Sequence, residues 1–151
     1  VPGATVATLA FTNVARVDGG RFVVIVTNTF GSVTSSPVQV RVLVPQRLRA
    51  PERLADGRVQ LRFGDQDGGP LGAGDAAGFE VYATTNLFNT NAWVRLTNSL
   101  SLSNGLLHLE EPPAAVLPRR FYRVRAESLY LSNIVGYATV MAPGGYCIIA
   151  N

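Results

Sequence analysis

The sequence predicts an all-β protein, and two observations support this fold class. Helical periodicity is almost absent from the 151 residues. Short β-branched or aromatic runs alternate instead with clusters of Gly, Pro, Asn and Asp, at intervals of about 8 to 12 residues that are typical of a β-sandwich or barrel. The hydrophobic fraction of 47% and the charged fraction of 15% indicate a packed chain rather than a disordered one.

The individual strands are predicted from β-branched and aromatic runs that alternate between two faces. In the second of them, for example, Phe22, Val24 and Val26 share one face. The predicted strands cover residues 6–12, 21–28, 32–43, 57–63, 78–84, 92–97, 106–110, 119–126, 134–141 and 145–150.

Prolines mark the first division of the chain. Pro45 and Pro51 bracket an Arg-rich connector, and a proline stops a strand because it lacks the N–H that a ladder needs. A second boundary falls near residues 126–133. The sequence therefore divides into three blocks, of which only the second is long enough to be a whole domain: 1–44, 45–126 and 127–151.

The first block carries a recognisable corner. Asp18, Gly20, Phe22, Val24 and Asn28 follow the spacing Asp-x-Gly-x-Tyr-x-Cys-x-x-x-Asn, which resembles the E–F corner and strand F of an immunoglobulin-like domain. The glycine accepts the tight corner, the aspartate can bond backbone amides of the turn, and the phenylalanine anchors the corner in the core. On this resemblance the first block would hold strands E, F and G.

The match departs from the family pattern at two positions. Phe22 replaces the tyrosine, so the hydroxyl bond of a tyrosine corner cannot form, and Val24 replaces the cysteine, so aliphatic packing stands in for the inter-sheet disulfide. Strands A to D are missing, which leaves a hydrophobic face and a sheet edge uncovered. We expect a fragment of a longer, repeat-bearing protein. The alternative is that residues 134–151 supply the missing strands, in cis or by addition to a neighbouring molecule.

The second block is similar to a β-sandwich module of large secreted proteins from Verrucomicrobia-like bacteria. The residues that carry this similarity are 61–69, 79–87, 93–96, 104–105 and 118–124. Such modules sit beside immunoglobulin-like or fibronectin-like repeats. The resemblance therefore implies immunoglobulin- or fibronectin-III-like sandwiches, the first of them incomplete, in a protein that is extracellular or on the cell surface. Residues 127–151 resemble a C-terminal strand pair, either the start of another module or a strand donated to a neighbouring sandwich.

The candidate metal site is a loop that contains Asp65, Asp67 and Asp75. Hard cations such as calcium bind several carboxylate and carbonyl oxygens, and aspartates at alternate positions can converge on one ion. The loop departs from an EF-hand, because Pro70 and Ala76 occupy its sixth and twelfth positions. Calcium is the one cofactor that the sequence leaves open. The alternative is a polar loop whose aspartates cap turns.

The candidate ligand-binding residues are Trp93 and Tyr82, because aromatic faces stack on pyranose rings. The alternative is that they fill the sandwich core together with Phe79, Phe121 and Tyr122, where each ring buries a large apolar area. Phe121 and Tyr122 are neighbours on a predicted strand, so their rings must face opposite sides of the sheet.

No constellation of residues predicts catalysis. His108 lies between leucines without a second histidine, cysteine or clustered acid beside it. Glu110 and Glu111 are adjacent in a strand and point to opposite faces, which argues against a glycosidase pair. Cys147 is the only cysteine and lies in an apolar run that is typical of a buried thiol.

The basic residues are all arginines, and most of them cluster within residues 47–62 and 119–125. Acids are interspersed among them, and their alternate spacing indicates the solvated face of strands rather than a nucleic-acid footprint. The longest uncharged runs are broken by Gly, Pro and Asn, so no membrane-spanning helix is predicted.

Together these patterns predict a non-enzymatic, structural or adhesive segment of a bacterial secreted or cell-surface protein. Its expected partners are other β-sandwich domains or copies of itself, and the uncovered edge of the first block suggests self-assembly into filaments by β-strand complementation. The alternative function is an accessory carbohydrate-binding module of a larger glycan-active enzyme, with glycans as partners.

Overall fold

The structure is a computed structural model that describes residues 5–113, 117–142 and 145–150. Within these residues it contains antiparallel sheets and three single turns of 3₁₀ helix, so the predicted all-β, sandwich-type fold is confirmed. None of the described helices is long and apolar enough to cross a membrane. The chain separates into two compact units, Val1–Leu43 and Val44–Asn151.

The first unit contains two small antiparallel ribbons. One pairs β1 with β4 and the other pairs β2 with β3. Its strands are β1 (Gly20–Phe22), β2 (Ile25–Asn28), β3 (Gly31–Thr34) and β4 (Val38–Val40).

Three strand predictions in the first unit need correction. The strand predicted over 6–12, the expected strand E, is wrong, because residues 5–15 form no strand. The strands predicted over 21–28 and 32–43 each break in the middle. There the Ser35 hydroxyl accepts from the Val24 N–H at 3.0 Å, and Pro37 has no N–H to continue a ladder.

The corner predicted from the sequence lies at the start of β1. The Asp18 carboxylate accepts from the Ala15 N–H at 2.8 Å and closes a 3₁₀ turn over Arg16–Asp18. Gly20 follows at φ +155°, a conformation that side chains rarely adopt. Phe22 is half-buried, and its ring packs edge-on against Phe11 with 5.8 Å between the centroids.

The second unit is a sandwich of two antiparallel sheets. The first sheet has the order β10-β11-β7-β5, with β6 also paired to β7; the second has the order β15-β14-β12-β8-β9, with β13 also paired to β12. The strands are β5 (Gln46–Leu48), β6 (Glu52–Arg53), β7 (Val59–Asp65), β8 (Phe79–Thr84), β9 (Val94–Arg95), β10 (Ser101–Ser103), β11 (Leu106–Glu111), β12 (Arg119–Ala126), β13 (Leu129–Tyr130), β14 (Val135–Ala142) and β15 (Gly145–Ala150).

Alternating side chains from both sheets form one core. On β7 the buried residues include Leu61 and Phe63, and on β12 they are Tyr122, Val124 and Ala126. This spacing of two residues is the strand period that the sequence shows, and it leaves the odd-numbered residues of β12 on the outer face of the second sheet.

The second unit also includes strands in segments that the sequence predicted as a connector or as a separate block. In the predicted connector between Pro45 and Pro51, residues Gln46–Leu48 form β5, and β6 follows directly after Pro51; both strands belong to the first sheet. Residues 127–151, predicted as a block of their own, contribute β14, which pairs with β12, and β15, which pairs with β14. The two C-terminal strands therefore extend the second sheet of this sandwich.

A buried ion pair joins the two sheets. Glu111 on β11 accepts from the Arg120 Nε at 2.9 Å and from an Nη of the same guanidinium. The hydroxyl of Tyr122, which is fully buried, donates to the same carboxylate at 2.7 Å. Burial, followed by the adjacent Glu111 charge, raises the pKa of Tyr122 far above that of a free tyrosine.

Candidate functional site

A surface cluster of the second unit lies on the outer face of its second sheet. Polar and aromatic side chains from β8, β9, β12 and β13 meet there, and we call this cluster the arginine face. Its members are Glu80, Tyr82, Trp93, Arg95, Arg123, Arg125 and Tyr130.

Arg123 lies at the centre of the arginine face, between two aromatic rings. Its Cζ is 4.1 Å from the centroid of the Trp93 ring and 3.6 Å from the centroid of the Tyr130 ring. Both distances are within the range of a cation–π interaction. The two rings therefore hold the guanidinium in one place.

Local turns bring Trp93 to this position. The Asn86 side chain accepts from the Phe88 N–H at 3.0 Å, and the Asn89 side chain accepts from the Asn91 N–H at 3.0 Å. Such bonds from a side chain to the backbone two residues later stabilise tight turns. They lead into a single 3₁₀ turn that ends directly before Trp93.

A tight hairpin brings Tyr130 to the other side of Arg123. Strand β12 ends at Ala126, which pairs with Leu129, so only two residues form the connection. Glu127 and Ser128 both have positive φ, 46° and 77°, as the favoured two-residue hairpin turns require. The register then places Tyr130 opposite Arg125.

The other arginines of the face share one carboxylate. Glu80 lies 3.3 Å from the Arg95 Nε and 3.7 Å from an Nη of Arg125, and it accepts from the Tyr82 hydroxyl at 3.0 Å. Arg125 also donates to the Tyr82 hydroxyl at 3.1 Å. That hydrogen bond is the main cause that raises the pKa of Arg125.

Arg123 differs from its neighbours, because no carboxylate among the described residues lies within ion-pair distance of its guanidinium. Its Nε is buried and makes no hydrogen bond to any group that the structure describes. Among the residues that the structure describes, aromatic rings hold this cation and no acidic side chain neutralises its charge.

The structure brings the predicted pair Trp93 and Tyr82 to the same face. Each is half-buried, Trp93 stacks on Arg123, and the Tyr82 ring packs edge-on against Tyr130 at 5.6 Å between centroids. The rings are thus partly covered by their neighbours. Sequence reasoning missed Tyr130 and the role of Arg123, although the alternating arginines of β12 had indicated an outward face.

The sequence left open which of the aromatic rings Phe79, Phe121 and Tyr122 lie in the core. Tyr122 is fully buried, whereas Phe121 is half-buried on the outer face, where its ring lies over Gly136. The predicted opposition of Phe121 and Tyr122 is confirmed. Phe79 belongs to the core, where its ring packs edge-on against Phe63.

The structure places one of the three predicted metal ligands at the end of β7 and the other two in the loop after it, each in different contacts. Asp65 is buried and accepts from the Gln46 amide at 2.5 Å, Asp67 caps the Gly69 N–H at 3.0 Å, and Asp75 caps the Gly72 N–H at 2.7 Å. Within the described part of the chain, no group of three or more His, Cys, Asp or Glu side chains could hold a metal ion.

The charges around this loop also disfavour a cation. The groove beside Asp65 is lined by Arg47 and Arg49, whose guanidinium groups repel positive ions. Asp67 and Asp75 each cap a turn, as the alternative interpretation of the loop expected.

Comparisons with known proteins assign no family to this chain. No family model, no curated protein and no solved structure matches it. What the protein does has to be inferred from its own surfaces and contacts.

Proposed function

We propose that the chain is a non-enzymatic, structural and adhesive segment of a bacterial secreted or cell-surface protein. Its first unit associates by β-strand complementation with copies of itself or with other β-sandwich domains, which builds filaments. The observation that carries this proposal is the apolar surface of the first unit.

That surface contains consecutive exposed apolar residues. Val23, Val24, Ile25 and Val26 are each between 47% and 67% exposed, and Val33 on the paired strand is 74% exposed. No described residue from 5 to 43 is buried. Runs of exposed apolar residues of this length are rare on soluble monomers and typically mark an interaction site.

The strand edges of the first unit favour the same conclusion. Among the described residues, β1 pairs with β4 alone and β2 pairs with β3 alone. A two-stranded ribbon is marginally stable in water, and its free edges present unpaired N–H and C=O groups. An added strand would satisfy these groups and bury the apolar side chains beside them.

The resemblance of residues 61–69 and 79–87 to modules of large secreted bacterial proteins supports the proposed location outside the cell. A structural role is compatible with a location outside the cell, because stacked β-sandwich domains act as spacers and bind through their loops and strand edges.

A matched pair of substitutions tests the association. Val26 on β2 is 67% exposed and Val94 on β9 is 65% exposed, so Val26→Thr and Val94→Thr remove equivalent apolar surface from the two units. We expect the wild-type chain to associate as its concentration rises in sedimentation velocity. Val26→Thr should weaken this association about tenfold, since burying a valine side chain contributes roughly 1.5 kcal/mol.

The Val94→Thr variant should associate like the wild type. A wild-type chain that stays monomeric at millimolar concentration would contradict association with itself. An equal loss in both variants would show that the first unit is not the interface.

The second candidate function is an accessory carbohydrate-binding module of a larger glycan-active enzyme. The specific observation in its favour is the position of Trp93, Tyr82 and Tyr130 on one face of the sandwich. Binding on a glycan array that Trp93→Ala abolishes, with thermal unfolding unchanged, would support it. Failure to bind any glycan would exclude it.

A further inference from the structure

We propose that the arginine face binds the carboxylate or sulfate groups of an acidic polysaccharide, with Arg123 as the anion-binding residue. The inference rests on the second candidate function, the carbohydrate-binding module, and names its ligand class. Four features of the face support it: the fixed position of Arg123, its unneutralised charge, the spacing of the free cations and the mixture of groups around them.

The fixed position of Arg123 prepares it to bind an anion. A guanidinium that is free in solution loses much side-chain freedom when it binds, whereas the rings of Trp93 and Tyr130 already hold this one. Its N–H donors lie in the guanidinium plane. Their fork matches the two oxygens of a carboxylate or a sulfate.

One positive charge of the arginine face is not neutralised by a described acidic side chain. Arg95 and Arg125 both lie within ion-pair distance of Glu80, but Arg123 has no acidic partner among the described side chains. An incoming oxyanion therefore gains most at Arg123, where it displaces no existing ion pair.

A second arginine, without an acidic partner among the described side chains, lies on the same strand face. Arg119 is exposed, and its position four residues before Arg123 places the two about 13 Å apart along β12. The half-buried ring of Phe121 lies between them, on the same side of the sheet. A ligand that suits this row has anionic groups separated by a stretch that packs on an aromatic ring, which a sugar unit provides.

The remaining groups favour a polysaccharide over an acidic peptide. The Glu80 carboxylate has further lone pairs that can accept hydrogen bonds from sugar hydroxyls. The same carboxylate repels a ligand that carries adjacent acidic groups, as an acidic peptide does. A chain of neutral, hydroxyl-bearing units with spaced anions avoids that repulsion.

The single tryptophan of the chain makes the site directly observable. Trp93 stacks on Arg123, so its fluorescence reports on ligands that reach the guanidinium. The probes are hyaluronan, which carries carboxylates, dextran sulfate, which carries sulfates, neutral dextran and polyglutamate. We expect a saturable change with hyaluronan or dextran sulfate, whichever oxyanion the face prefers, and none with neutral dextran.

Three variants separate specific binding from general attraction to a positive protein. Arg123→Met keeps an apolar stem between the rings and should weaken binding of the acidic polysaccharide roughly tenfold or more, because a charge-assisted hydrogen bond is lost. Arg123→Lys should keep the charge and recover part of the affinity. Arg49→Gln, at an exposed arginine directly after β5 of the other sheet, removes the same net charge and should change the affinity less than about twofold.

If Arg123→Met fails to fold, Arg123→Lys and the wild-type fluorescence titration still decide the matter. Equal losses in Arg123→Met and Arg49→Gln would overturn the proposal in favour of non-specific attraction. Polyglutamate that binds as tightly as the polysaccharides would overturn it in favour of an acidic protein partner. Binding of neutral glycans that depends on Trp93 but not on Arg123 would overturn it while leaving the carbohydrate-binding function in place. Binding of no glycan would exclude both.

Discussion

Removing the carboxylate of Glu111 is expected to destabilise the second unit strongly. The side chains of Glu111 and Arg120 are only 10% and 17% exposed, and the carboxylate also accepts from Tyr122. Glu111→Ala would leave a cation and a hydroxyl with little access to water. Breaking a buried pair in this way costs about 3 to 5 kcal/mol, and the partly accessible edge of Arg120 places the expected loss near 3 kcal/mol.

The adjacent Glu110 supplies a matched control. It lies on the opposite face of β11, where it pairs with Arg58, and both side chains are more than a third exposed. Glu110→Ala should therefore lower the free energy of unfolding by less than about 1 kcal/mol. Glu111→Gln, which keeps an acceptor for the Tyr122 hydroxyl, should fall between the two alanine variants.

Urea denaturation followed by the fluorescence of Trp93 measures these differences, because the only tryptophan lies in the second unit. The expected order of stability is wild type, Glu110→Ala, Glu111→Gln and Glu111→Ala. Equal losses for Glu110→Ala and Glu111→Ala would refute the reasoning, since the ion pair between the sheets would then contribute no more than a surface pair.

Three further outcomes are expected from single features of the second unit. The pKa of Tyr122 is higher in the folded chain than in the unfolded one, so the free energy of unfolding should hold steady below about pH 10 and fall above it. In Tyr122→Phe the free energy of unfolding should fall less steeply above pH 10, and the same pH dependence in this variant as in the wild type would contradict the account. Gly136→Ala would place a Cβ 2.6 Å from a backbone oxygen, so it should cost about 1 to 3 kcal/mol in thermal unfolding, whereas Gly78→Ala, with open space around it, should cost far less. Ser128→Gly should raise the free energy of unfolding by about 1 kcal/mol, because Ser128 has φ +77°; a lower melting temperature would count against the hairpin as described.

The strands that the sequence predicted correctly are those with enough residues to show their period. Strands β7, β8, β11 and β12 each have six or more residues and alternate between core and outer face. Strand β5 has three residues between two prolines, and its buried Gln46 and Leu48 do not form a recognisable pattern. The side-chain alternation over residues 6–12 predicted a strand, but these residues pair with no described strand and their side chains are exposed.

The arginine face was only half predictable, because its contacts join distant parts of the chain. The aromatic character of Trp93 and Tyr82 was visible in the sequence. Their meeting with Arg123 depends on the pairing of β8 with β12, and the contact with Tyr130 depends on the tight turn after Ala126. Such pairings join segments that are far apart in the sequence, so the sequence predicts a ligand platform or core rings and not a support for an arginine.

Hydrogen exchange at low and high protein concentration examines whether the first unit completes its sheets with strands from another copy. If it does, the backbone amides of β1 to β4 should exchange more slowly as concentration rises, while those of the second unit exchange at an unchanged rate. Exchange in residues 20–40 that is equally fast at every concentration would contradict strand complementation between copies of this chain.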